Sequence, residues 1–215
     1  MACFSGPEIP NNGLKSLFDR SNPNSYAGTG TTWKDLIRNI SYTNTVNSAG
    51  SETWMGSESS GITISVTLYK IGTLVGYAEQ PVSNWSGTSD ASFVLYHFGT
   101  TSEVNVDRIR WYANRGGVWG VISGNFLGTN GNKYVIILQY NDTSGGQLWV
   151  NGSKIGTRTG SGIRANSASP LRIIGPDTSQ GNGTSLVENC YIWNRELTDG
   201  EVIQHFEAIR GRYNL

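Results

Sequence analysis

Three sets of residues in this chain have the types and spacing for chemistry. The sharpest is Glu103-Val-Asn105-Val-Asp107. Strand alternation puts Glu103, Asn105 and Asp107 on one face and the two valines on the other. A retaining glycosidase needs two carboxyl groups about 5–5.5 Å apart, and Glu103 with Asp107 are the candidates for such a pair. Arg108 and Arg110 follow directly and can neutralise these acids, so the plainer reading is a polar outer strand face. The second set is Asn84, Trp85 and Asp90. Trp85 lies in a polar, glycine-containing stretch, where an exposed indole can stack on a sugar ring beside the two polar side chains. It can equally bury itself in a neighbouring subunit, because aromatic residues are enriched at interfaces. The third set is Asp90, Asp142 and Asp177. Calcium wants six to eight oxygen ligands, usually from several carboxylates. Each of these acids stands alone in the sequence, and lone acids more often shape turns. The expectation is no cofactor, with Ca2+ as the one ion to consider. The two histidines, His97 and His205, and the two cysteines, Cys3 and Cys190, form no zinc-type cluster. Cys190 sits in a strand-like run and reads as a small buried hydrophobe.

The elements that must hold these residues are mostly strands. Ile62, Ile64, Val66 and Leu68 alternate with Thr63, Ser65 and Thr67, which predicts one buried and one wetted face. Phe93–Phe98 and Tyr134–Tyr140 are apolar on both faces, as in the middle of a two-sheet sandwich. Arg108–Tyr112 and Val118–Ile122 read as a hairpin. Asn151-Gly152 is a strong two-residue hairpin turn, since both positions tolerate positive φ. Leu148 and Trp149 point to opposite faces, with Leu148 expected in the core and Trp149 under a neighbouring layer. Near the end, Thr198 and Glu201 have capping-box spacing. Val202, Ile203, Phe206 and Ile209 recur at helical spacing, and Gly211 fits a stop. The prediction is an all-β, two-sheet antiparallel jelly-roll sandwich with one short helix over about 199–210. Residues 1–12 read as an arm, and residues 13–215 as a single domain.

Bulk properties narrow the function. A 215-residue chain suits one all-β domain. Formal net charge is zero and no Lys/Arg run occurs, which argues against a nucleic-acid partner. No charged start leads into an apolar run and no stretch approaches a membrane span, so neither a signal peptide nor a membrane partner is expected.

Three blocks carry a resemblance. Gly13-Leu14 … Asp19 … Asn22-Pro23-Asn24-Ser25-Tyr26 … Thr32-Trp33-Lys34-Asp35-Leu36 opens the chain; Leu148-Trp149-Val150-Asn151-Gly152 lies within it; Trp193-Asn194-Arg195-Glu196-Leu197-Thr198 … Phe206-Glu207-Ala208-Ile209-Arg210-Gly211-Arg212-Tyr213 closes it. Together they resemble the concanavalin A-like (laminin-G-like) jelly-roll domains of tailed-bacteriophage virion proteins, notably those of cyanophages. The segment after Leu36 departs from that family's glycine- and asparagine-rich pattern. Glucanases of the wider fold carry a "Glu-x-Asp-x-(x)-Glu" strand, which Glu103-x-Asn105-x-Asp107 resembles with its middle acid lost and its last one shortened.

The resemblance implies a non-enzymatic virion structural protein, decorating a capsid or forming part of a tail, in many copies or as a homo-oligomer docked on other virion proteins. Phe4 and Ile9 are the expected docking anchors, because neither has a periodic element of its own to be buried in. A lectin-like tail protein that binds host-surface carbohydrate is the alternative, with Asn84, Trp85 and Asp90 as its site. A glucanase-like hydrolase comes third.

Overall fold

The computed structural model describes residues 7–29, 32–43, 61–73, 78–84, 93–98, 108–115, 118–122, 126, 128–141, 145–158, 171–173 and 184–215. In chain order the strands are β1 (Leu14–Asp19), β2 (Thr32–Lys34), β3 (Ser41–Thr43), β4 (Ile62–Lys70), β5 (Ala78–Ser83), β6 (Phe93–Phe98), β7 (Arg108–Arg115), β8 (Val118–Ile122), β9 (Lys133–Asn141), β10 (Gly145–Val150), β11 (Ser153–Arg158), β12 (Arg172–Ile173) and β13 (Ser185–Trp193). Among the described residues one helix, α1, spans Asp199–Tyr213. A six-stranded sheet runs β1-β13-β4-β9-β10-β11, a five-stranded sheet runs β12-β5-β6-β7-β8, and β2 pairs with β3. All the pairings are antiparallel. This is the predicted two-sheet sandwich.

Two apolar clusters lie on opposite faces of the six-stranded sheet. Between the sheets, Ile64, Val66, Leu68, Ile136, Leu138, Leu148 and Cys190 meet Val82, Phe93, Leu95 and Trp111. On the other face, Val135, Ile137, Trp149, Tyr191 and Trp193 pack against Leu197, Val202, Phe206 and Ile209. Leu148 and Trp149 therefore divide between the clusters as their alternation required. Asn151 and Gly152 take φ of 48° and 75°, making a tight turn between β10 and β11. A Cβ on Gly152 would lie 2.7 Å from Phe206 Cδ1, so the bare glycine lets the helix lie close.

The wetted face predicted for β4 does not exist. Thr63, Ser65 and Thr67 are fully buried, because α1 covers that side of the sheet. Thr63 Oγ1 donates to the Arg195 carbonyl (2.9 Å) and accepts the Leu197 N–H (2.9 Å), while Ser65 Oγ meets His205 Nε2 at 2.9 Å. Polar residues survive burial here because the helix and its lead-in bring polar partners.

The helix starts as predicted. The Thr198 side chain accepts the Glu201 N–H, and the Glu201 carboxylate accepts the Thr198 N–H, completing the capping box. Its buried stripe is Val202, His205, Phe206 and Ile209, whereas Ile203 is 46% exposed. The stripe is centred between 202 and 209, which leaves Ile203 at its edge. Nor does Gly211 stop the helix. The last turn is held by Arg212, whose guanidinium grips Asp19 at 2.7 and 2.8 Å, and by Tyr213, whose hydroxyl accepts from Asn189 Nδ2 at 2.6 Å. The stop is Asn214 in the left-handed region at φ 56°, its N–H returning to the Arg210 carbonyl.

Candidate functional site

Asn84 follows β5 directly, and Phe93 opens β6. Their backbones bond (Asn84 N–H to Phe93 carbonyl, 3.2 Å), and Asn84 Oδ1 accepts the Phe93 N–H at 2.9 Å. Asn84 is fully buried. Its side chain therefore ties the end of β5 to the start of β6. Trp85 and Asp90 lie outside the described residues. Across the same two strands, the hydroxyl of half-buried Tyr96 accepts from the buried Gln80 Nε2 at 3.2 Å.

The carboxylates Glu103 and Asp107, with Asn105, lie outside the described residues, in the connection between β6 and β7. So do Asp142, Asp177, Phe4 and Cys3. Among the described residues, no group of three or more His, Cys, Asp or Glu side chains is placed to hold a metal ion. Cys190 is a free, buried thiol, and burial pushes its pKa well up.

Ile9 is half-buried against the apolar cluster beneath α1, so its burial comes from this chain and not from a docking partner. That removes the argument that Ile9 has nothing of its own to pack on. The segment around it is tied down as well. Gln204 Nε2 donates to the Glu8 carbonyl (2.6 Å), Trp193 Nε1 to the Pro10 carbonyl (2.7 Å) and Arg195 Nε to the Asn12 carbonyl (2.8 Å).

Several polar centres had no assigned role in the sequence. Asp35 is a buried carboxylate that accepts the N–H groups of Leu17 (3.2 Å), Ile37 (2.9 Å) and Arg38 (3.3 Å) and pairs with Arg38 Nε at 2.7 Å. It fastens the turn between β2 and β3 to β1. Arg195 grips Glu201 with two bonds of 2.9 and 2.6 Å, which holds the Glu201 carboxyl down to about 2. Gln139, buried in β9, donates to the Leu197 carbonyl and accepts the Trp149 indole N–H. Between the sheets, His97 Nδ1 meets Ser185 Oγ at 2.8 Å, and the neighbouring Lys70 ammonium donates to the Gly128 carbonyl at 2.6 Å.

No protein-family model matches the sequence, and no curated protein matches it. Solved structures do. The chain aligns with Trypanosoma rangeli sialidase in complex with sialic acid at TM-score 0.63 and 15% identity, over 94% of this chain and 34% of that one. A mutant of the same sialidase displaying trans-sialidase activity aligns at TM-score 0.63 and 16% identity, over 94% and 34%. Domain 4 of AbnA, a GH43 extracellular arabinanase from Geobacillus stearothermophilus, in complex with arabinotriose, aligns at TM-score 0.58 and 12% identity, over 89% of this chain and 97% of that one. The chain thus spans about a third of the sialidase chains and nearly all of the arabinanase domain. At such identities the likeness shows the fold alone, a two-sheet β-sandwich. It also corrects the expectation of a non-enzymatic chain. The aligned chains come from a sialidase and an arabinanase, both enzymes, so the fold gives no ground for excluding catalysis. Among the described residues no helix is long and apolar enough to cross a membrane.

Proposed function

We propose that this chain is a carbohydrate-recognising, lectin-like sandwich of a tailed-bacteriophage particle, directed at host-surface glycans. The observation that carries the carbohydrate reading is the domain-for-domain match to domain 4 of the arabinanase, whose structure holds arabinotriose. Local features agree with it. Asn84 ties the end of β5 to the start of β6, on either side of the segment that carries Trp85 and Asp90, and Tyr96 bonds Gln80 across the same two strands. An indole and a phenol ring with amide and carboxylate neighbours are the groups that stack on and hydrogen-bond a sugar. The phage setting rests on the three resembling sequence blocks. Two of them now have physical work in the fold: Asp35 and Asp19 of the opening block anchor a turn and the end of α1, and Asn151-Gly152 makes room for Phe206. Docking on other virion proteins keeps Phe4 as its remaining anchor.

The test is a glycan array probed with the purified chain, followed by calorimetry on the best binder and an assay for its hydrolysis. Binding that is lost in Trp85→Ala and retained in Phe4→Ala is the expected result. An array with no binder, for a chain shown to be folded, overturns the carbohydrate reading and returns the question to virion docking.

A further inference from the structure

His205 stands on the buried face of α1 and is fully enclosed. Two rings of β13 wall it in: Tyr191 at 4.8 Å between centroids and Trp193 at 5.0 Å, both nearly perpendicular to the imidazole. Its Nε2 meets Ser65 Oγ at 2.9 Å, and its Nδ1 has no hydrogen-bond partner. The satisfied form is thus the neutral tautomer, with an N–H on Nε2 donating to Ser65 and a bare lone pair on Nδ1. A proton added at Nδ1 would create a cationic donor without an acceptor, in a site closed to water.

Among the described residues, the elements packed around the ring supply no free counter-charge. β4 presents Thr63, Ser65 and Thr67, β9 presents Val135 and Ile137, and β10 presents Trp149. On β13, burial pushes the Tyr191 phenol well up, so it stays neutral. Asp19 of β1 is held by Arg212, and on α1 itself Glu201 is held by Arg195 and Glu207 by Arg210. Glu8, on the N-terminal segment, is exposed.

The helix does not sit alone. Gln204, next to His205, bonds the Glu8 carbonyl, and Trp193, against which His205 packs, bonds the Pro10 carbonyl. We infer that α1 and residues 8–12 form an acid-released clasp, in which protonation of His205 undocks the helix and uncovers Trp149, Tyr191 and Trp193 on the sheet. Burial lowers the docked imidazole from 6.5 to about 3. The docked state is therefore fully favoured above pH 6.5 and loses ground steadily as pH falls from 6.5 towards 3.

The experiment is hydrogen exchange of the intact chain between pH 7 and 5, with each amide corrected for its intrinsic rate. The opening constant of α1 should rise about 25-fold over that window, following the imidazole values of 6.5 open and about 3 docked. Amides of β4 and β9 should not follow it. In His205→Gln, whose amide can still donate to Ser65, the rise should vanish. A flat wild-type profile, an equal rise in the Gln variant, or opening of the whole sheet with the helix overturns the inference. Should the Gln variant fail to fold, NMR titration of the wild-type histidine rings decides. His205 must stay neutral in the docked state at pH 5, and titration near 6.5 with the helix still docked refutes the clasp.

Discussion

Replacing Gln139 with Leu isolates the polar seam between α1 and the sheet. Gln139 is 1% exposed, donates to the Leu197 carbonyl and accepts the Trp149 indole N–H. Leucine has similar bulk but neither group, so one buried acceptor and one buried donor lose their partner at once. Each orphan costs about 1–3 kcal/mol, and the added apolar burial returns about 1 kcal/mol. The net loss should be about 1–5 kcal/mol, or a fall in Tm of roughly 2–20 °C for a chain of this size. Urea titration followed by tryptophan fluorescence and far-UV circular dichroism measures it, and an unchanged slope would confirm that only stability has moved. Trp149→Phe supplies the control. It removes the indole donor, so the double variant should cost about 1 kcal/mol less than the sum of the singles. A Gln139→Leu protein within about 0.5 kcal/mol of wild type would refute the reasoning, since the helix entry would then not depend on the seam.

Gly152→Ala should destabilise by more than 1 kcal/mol, because it strains a φ of +75° and drives a methyl group against Phe206; Phe206→Leu in the same chain should recover part of the loss in thermal melts. Glu201 lies below its ordinary 4.5, at about 2, through the Arg195 guanidinium. Its contribution is therefore complete above pH 4.5 and is lost as pH falls towards 2. The pair is partly open to solvent, with Glu201 28% exposed, so the contribution is about 1 kcal/mol. Urea midpoints of wild type and Glu201→Gln should differ by that much at pH 6 and converge by pH 2.

The features read correctly from sequence are those whose physics is local. A capping box spans four residues, Asn151-Gly152 spans two, and the opposite placement of Leu148 and Trp149 follows from alternation alone. The features misread depend on what lies across space. Thr63, Ser65 and Thr67 look the same in sequence whether water or a helix covers them; only partners more than 130 positions away in the chain decide it. His205 took the helix position offered to Ile203 because Ser65 was there to receive it. Gly211 was overruled by Asp19 and Asn189 gripping the turn beyond it. Ile9 lacked a periodic element of its own, but Trp193 and α1 provided one.

The order of strands sets the order in which the molecule can be made. β13 lies between β1 and β4, so the last strand in chain order fills an inner slot of the six-stranded sheet. During synthesis β1 and β4 leave the ribosome long before Ser185–Trp193 exist, each with an unpaired edge facing the gap. The sheet cannot close stepwise from β1; β1 and β4 wait for β13 to join them. Fragments that stop short of residue 185 should therefore meet other fragments edge to edge, because the strand that fills the gap is missing.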